Sequence, residues 1–166
     1  INLFIVSLIF MFMDSKFDIK VEAPSELAYI TKLGHVQVLP VLEIAKRDEL
    51  WGIKCGNIIV ALKNSKFNNW IHAMAAEQVL SPEWKISLPP VDDLCDCYTA
   101  KDSFRKTLDF LHVHSVDADD WLDGWYWSGE ETGFDSDTIH TFDMKDGMYS
   151  KHDRRDNNGF VRYALV

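Results

Sequence analysis

Between Thr107 and Met144 the chain contains no lysine and no arginine, although ten aspartates and glutamates lie there. The net charge of the 166-residue chain is −9. A surface of that sign repels phosphate backbones and anionic membranes, so nucleic acid is excluded as the expected partner. Cations, a basic protein or a neutral polar ligand remain. Cysteine is scarce and odd in number, which excludes a complete disulfide framework. Cys95 and Cys97 are too close for easy pairing and too sparse for a zinc site, so they read as free thiols on or near a helix. Internal repeats, low-complexity linkers and an obvious second domain are lacking as well. Ser128 lies in no Gly-x-Ser-x-Gly elbow, which removes the commonest serine-nucleophile signature.

The apolar segment Ile1–Met13 is too short for a membrane helix, which needs ~20 residues. It has neither a basic flank nor a small-x-small cleavage site, so membrane insertion and secretory cleavage are not expected from it as it stands. It reads as a signal or anchor stub, as a buried first strand or, the preferred reading, as sequence upstream of a start at Met11 or Met13. A single domain is therefore expected over residues 14–166, with residues 1–13 outside the fold.

Strands are expected where apolar residues alternate or β-branched residues cluster: Phe17–Val21, His35–Leu42, Asn57–Leu62, Trp125–Trp127, Ile139–Met144, Met148–Ser150 and Phe160–Val166. Pro40 places the second at a sheet edge or end. Asn68 or Asn69 would cap a helix from Trp70 to about Leu80. Pro90, Asp92 and Asp93 suit the start of another helix, carrying Val91, Leu94 and Tyr98. A third, capped by Asp102 or Ser103, would bury Phe104, Leu108 and Leu111. Gly129–Ser136 reads as loop, and Asp146-Gly147 as a hairpin turn with positive φ angles. Strands, then helices, then strands make an α+β pattern.

Three of the six tryptophans fall between Trp121 and Trp127, beside Tyr126. Alternation on a half-buried strand would send Trp125 and Trp127 into the core and leave Tyr126, with Trp121, as the exposed pair. Glu130, if buried, needs a partner, and it is expected either to bond backbone or to pair with Arg162.

The second half resembles a family. The residues that carry this are Trp70 opening a helix, Trp84-Lys85 followed by Leu88-Pro89, the acidic start Asp92-Asp93-Leu94, Trp125-Tyr126-Trp127-Ser128-Gly129-Glu130, Phe142 with Asp146-Gly147, and Val161-Arg162. This order is similar to the Lcl C-terminal-like domains, a C-type-lectin-like family of bacterial and phage proteins. The resemblance covers about residues 57–166. Ile86 and Ser87 are extra spacing, Pro90 stands for the usual Ser or Thr, and the segment at Gly129 is one residue short. The resemblance implies a C-type-lectin-like fold: a small antiparallel sheet with two or three short helices, and paired N- and C-terminal strands. Trp70, Trp84, Trp125, Trp127, Glu130, Gly147 and Arg162 would be its structural signature. It also implies a non-catalytic binding module of adhesin, surface or phage-tail type, secreted, cell-surface or virion-associated. The motifs of calcium-dependent sugar binding in true C-type lectins do not occur here.

In that reading ligand contacts come from the irregular segments His114–Asp123, Ser128–Asp137 and Lys151–Asn158, with Trp121, Tyr126, Asp135 and Arg154 as the contact residues. The partner would be a protein or glycan surface ligand, and a homo-oligomer is compatible. No cofactor is implied. Asp117, Asp119 and Asp123 offer hard oxygen ligands to calcium but lack EF-hand spacing, so a solvated acidic loop is expected. His112-x-His114, with Asp117 or His140, could meet zinc; a helix-end role is the plainer one. The competing functions are an enzyme, either a hydrolase or a lectin-fold oxidase, and a structural piece of a phage tail or fimbria.

Overall fold

The computed structural model describes residues 26–40, 47–67, 69–121, 123–133, 135–156 and 159–166, with the side chains of residues 47, 135 and 136 left aside. The strand expected at Phe17–Val21 and the apolar segment 1–13 lie outside the described residues. The described residues form an α+β fold of two antiparallel sheets and three helices. The first sheet has the strand order β2-β1-β3-β4-β10-β6-β5. Its strands are β1 (Leu27–Ile30), β2 (Val36–Leu39), β3 (Leu50–Cys55), β4 (Ile58–Ala61), β5 (Gln78–Ser81), β6 (Trp84–Ser87) and β10 (Ala164–Leu165). The second is a meander of β7 (Trp125–Thr132), β8 (Asp135–Asp143) and β9 (Tyr149–Asp153). Helix α1 (Trp70–Ala75) lies between β4 and β5 in sequence, and α2 (Val91–Thr99) and α3 (Lys101–Val113) between β6 and β7.

Several elements follow the local chemistry. β2 is an edge strand, as Pro40 requires. The β-branched run at β4 becomes a central strand, joined to β3 by a tight turn in which Gly56 takes φ +62°. Asn69 caps α1, its Oδ1 accepting from the His72 N–H at 3.1 Å. Phe104, Leu108 and Leu111 form the buried stripe of α3.

Other elements depart from expectation. α1 stops at Ala75, and Gln78–Ser81 leaves the helical path to pair with β6. Val79 and Leu80 suit a strand, and the ladder with β6 overrides helix propensity over that stretch. α3 begins at Lys101 with Ala100 as its cap and without a side-chain cap bond, because α2 runs almost directly into it. β3 was not foreseen: Gly52 sits in mid-strand, where a Cβ would press on the Val60 carbonyl of β4. Most of Gly129–Ser136 belongs to the β7–β8 pair rather than to a loop. The register shifts between Trp127 and Glu131, a bulge that absorbs the turn-like residues. At the β8–β9 turn only Gly147 takes a positive φ, +76°, with the Tyr98 ring packed against it.

The core divides around β7. On one side Tyr126 packs with Leu27, Ile53, Val60, Leu94, Phe104, Leu111 and Trp121. On the other Trp127 packs with Trp70, Ala73, Leu88, Ile139, Val161 and Tyr163. Trp70 Nε1 donates to the Ser128 carbonyl at 2.7 Å, and Tyr163 Oη to the Ala73 carbonyl at 2.6 Å, so α1 is tied to both sheets. Burial, with Glu77 nearby, pushes the Tyr163 phenol up to about 12, so it remains a donor.

Gly159 lies flat on the Trp127 indole, and a Cβ there would overlap the ring. Gly159→Ala is expected to cost about 2–3 kcal/mol through overpacking. Gly133→Ala, which faces open space at φ +77°, should cost only about 1 kcal/mol of backbone strain. Urea denaturation of the two variants gives both numbers.

Candidate functional site

Arg162 organises the candidate site. Its side chain is buried, and it follows Val161 in the segment that leads into β10. Nε donates to the Ala61 carbonyl at 2.9 Å. Nη2 donates to the carbonyls of Leu62 at 3.2 Å and Asp119 at 2.7 Å. The guanidinium also lies over the rings of Trp121 and Phe104, 4.7 and 5.0 Å from their centroids. Burial pushes its pKa down from the ordinary 12.5, and a guanidinium stays charged nonetheless. The charge is therefore met by backbone oxygens and aromatic faces.

Of the two partners expected for Glu130, the structure shows a backbone group and not Arg162. Glu130 follows the β7 bulge toward α2, where Oε2 accepts from the Val91 N–H at 3.0 Å. A carboxylate there satisfies one of the open donors at the helix start. It adds to a local acid cluster: burial first, then Asp96, Asp92 and Glu130, raises the Asp93 carboxyl.

Trp121 and Tyr126 are likewise core residues rather than exposed contacts, at 6% and 0% exposure. Their rings meet edge to face at 4.8 Å. Alternation assigned Tyr126 to solvent because it assumes one wet face, whereas β7 is covered on both. Trp127 is buried as expected, while Trp125 is only half-buried, beside the His152 ring at 5.1 Å. Arg154 is held in the second sheet, its Nη2 3.5 Å from Asp137 and its Nη1 4.0 Å from Glu131. Its carbonyl accepts from the Trp70 N–H. Asp135 opens β8, and its side chain lies outside the description. The expected contact residues thus divide between the core and the second sheet.

The acidic segment is anchored from elsewhere in the chain. Lys63 Nζ bonds Asp117 and, at 3.1 Å, Asp119. Asp117 foremost, with Asp119, holds the Lys63 ammonium above its ordinary 10.5. Asp119 Oδ2 accepts from the Asn64 N–H at 2.9 Å, and the Asp119 N–H donates to the Leu62 carbonyl at 2.7 Å. Arg105 Nε bonds Asp120 at 3.1 Å. The lysine ammonium occupies the position between Asp117 and Asp119 that the calcium reading assigns to a metal. Among the described residues no three of His, Cys, Asp and Glu converge as a metal-binding group. His112 and His114 bond separate carbonyls, those of Ala118 and Phe110, both at 2.9 Å, which matches the helix-end reading.

Beside this segment opens a cleft of about 630 Å³, lined by Asn64, Ser65, Phe67, Asp119, Asp120 and Phe160 among others. A second of about 570 Å³, reaching toward Trp51, Gln78 and Tyr163, shares Ser65 and Phe67 with it. Within the first, two half-buried aromatic rings face amide, hydroxyl and carboxylate groups. The acidic segment is one of the irregular segments expected to supply contacts, and part of it lines this cleft. The opposite wall, 64–67, was missed, although Asn64 and Phe67 flank the polar turn after β4. No helix among the described residues is long and apolar enough to cross a membrane.

Two outcomes follow from this geometry. Arg162→Ala removes the guanidinium donor from the Ala61 and Asp119 carbonyls, while the Leu62 carbonyl keeps the Asp119 N–H, and should cost about 3–5 kcal/mol, against about 1 kcal/mol or less for Glu130→Gln; chemical denaturation ranks them. For Asp119, burial pushes the carboxyl up, but the Asn64 N–H and the Lys63 ammonium outweigh it and hold it below its ordinary 3.8. A depressed carboxyl adds stability that is complete above the unfolded value and disappears as pH falls through the folded one. Asp119→Asn should therefore flatten the fall in melting temperature below about pH 4, and an unchanged acid limb would refute the assignment.

Comparison with known proteins finds no match to this chain among protein-family models, curated proteins or solved structures.

Proposed function

We propose that the chain is a non-catalytic recognition module of C-type-lectin-like architecture that binds a neutral, hydroxyl-rich ligand such as a surface glycan. The carrying observation is the 630 Å³ cleft between residues 64–67, the acidic segment and Phe160. Its chemistry suits a sugar: aromatic rings offer faces to the apolar side of a pyranose, and Asn64, Ser65, Asp119 and Asp120 offer donors and acceptors to its hydroxyls. Their geometry is set in advance by internal bonds, as Asn64 Nδ2 donates to the Asp120 carbonyl at 3.2 Å and Asn64 Oδ1 accepts from Tyr126 Oη at 3.3 Å. A preformed site loses less freedom on binding.

The lectin-like reading draws support from topology. β4, the first strand of the segment 57–166, pairs with β10, the last. Two consecutive helices pack against the core, and a separate three-stranded meander carries the Trp-Tyr-Trp block. The first sheet is larger than the small sheet the resemblance implies, because β1–β3 extend one side and β5 and β6 the other. Local acid neutralisation by Lys63 and Arg105 favours a neutral ligand over a cation or a basic protein.

Ser65 lines both cavities, so Ser65→Arg fills the cleft. In a glycan-array screen with and without chelator, the native chain should retain a neutral glycan under both conditions. Ser65→Arg should lose at least tenfold in affinity at an unchanged melting temperature. Undiminished binding by that variant, or turnover of the glycan, would overturn the reading.

A further inference from the structure

Cys55 ends β3, and Cys97 lies on α2, 42 positions further on; both are buried free thiols. They face one another. Cys55 Sγ donates to the Cys97 carbonyl at 3.6 Å, and Cys97 Sγ donates to the Cys55 carbonyl at 3.1 Å. The Cys55 thiol foremost, and then burial, pushes the Cys97 thiol far above its ordinary value. The backbones approach closely at the same place. A Cβ at Gly56 would lie 2.9 Å from that of Asp96, and Asn57 Nδ2 donates to Asp96 Oδ2 at 2.5 Å. The β3–β4 turn thus rests on α2 through three consecutive residues. Cys95, two positions away on the helix, is exposed and takes no part.

We propose that Cys55 and Cys97 close into an intramolecular disulfide, stapling the β3–β4 hairpin to α2, when the chain meets a small-molecule disulfide such as oxidised glutathione. One cysteine thiolate attacks a glutathione sulfur and releases the first glutathione. The second cysteine attacks the resulting mixed disulfide at the protein sulfur and releases the other. The glutathione S–S bond breaks and the Cys55–Cys97 bond forms. The two cysteine protons end on two glutathione thiols, which carry the two electrons the cysteines lose. In the folded protein both thiols are buried and donate hydrogen bonds to carbonyls, so exchange runs through opening of the hairpin or before it docks. Once closed, the bond is protected by the same burial. The pair thereby gives the fold a covalent form in an oxidising compartment and a dithiol form in a reducing one.

The test uses full-length Cys95→Ser protein, in which only this pair remains, refolded with reduced and oxidised glutathione. The expected product is lighter by two hydrogens, has no thiol open to maleimide after denaturation, and yields one peptide pair joining Cys55 to Cys97. Its melting temperature should exceed that of the dithiothreitol-treated protein by roughly 5–15 °C, as expected for a staple closing a loop of this length. Two maleimide-reactive thiols, a stable glutathione adduct, or a disulfide-linked dimer would overturn the proposal. Cys97→Ala in the same background should abolish the mass change. If that variant does not fold, the mass and peptide map of Cys95→Ser decide alone.

Discussion

A buried guanidinium has to be met by fixed dipoles wherever it is placed; the main chain meets Nε and Nη2 of Arg162, while its buried Nη1 has no hydrogen-bond partner among the described residues. Removing such a group from water costs several kcal/mol, recovered only when the surrounding dipoles are fixed in position. Here the dipoles are the carbonyls of Ala61, Leu62 and Asp119, with Trp121 and Phe104 stacked on the charge. These groups come from the end of β4, the acidic segment and α3. None can move far without leaving the cation exposed to apolar surroundings. The residue therefore fixes where β4 ends, how the acidic segment lies on it, and where the C-terminal segment enters the first sheet.

The same constraint shapes the cleft. Asp119 is held by its carbonyl on Arg162, by its N–H on Leu62, and by its carboxylate on Asn64 and Lys63. A segment anchored at three groups of one residue presents its neighbours in a fixed attitude. Asp120 and Ala118 follow on either side and form one wall. Asn64, bonded to both Asp120 and Tyr126, begins the other. The hydrophobic core and the polar cleft are thus joined through Tyr126: its ring belongs to the core and its hydroxyl bonds Asn64 of the wall.

How much of this was legible in the sequence depends on the range of the interactions. The buried stripe of α3, the Asn69 cap, β4 and the positive φ at Gly147 are set by residues within a few positions of one another, and those readings hold. The Trp125–Trp127 block was legible as a strand but not in its burial. Period two tells which residues share a face; it does not tell how many faces are covered. Tyr126 and Trp127 are both buried because helices and the first sheet lie on one side and α1 with Val161 and Tyr163 on the other. The partners of Arg162 and Lys63 were not legible at all, and for Glu130 a backbone partner was legible but not which one. Lys63 lies 54 and 56 positions from Asp117 and Asp119. Glu130 lies 39 from Val91. Charge pairing was the natural guess for Arg162, and the chain uses backbone carbonyls, for which the sequence has no symbol.

The acidic belt shows why a composition argument about charge needs geometry before it becomes an argument about function. Between Thr107 and Met144 the deficit of basic residues is real, yet cations from outside the belt reach into it: Lys63 and Arg105 at the acidic segment, Arg154 and Arg155 at Asp137. Each exposed pair contributes little to stability. In the recognition role proposed above their effect would be on the ligand: a carboxylate already bonded to a lysine attracts a second cation weakly and still has lone pairs to offer a hydroxyl. Short-range hydrogen bonding then outweighs long-range attraction in the cleft, since fields beyond about 8 Å are screened at physiological salt. In the recognition role proposed above, the net charge of −9 would disfavour polyanions, while the paired carboxylates and the rings of Phe67 and Phe160 would make the cleft selective for shape and hydroxyl placement.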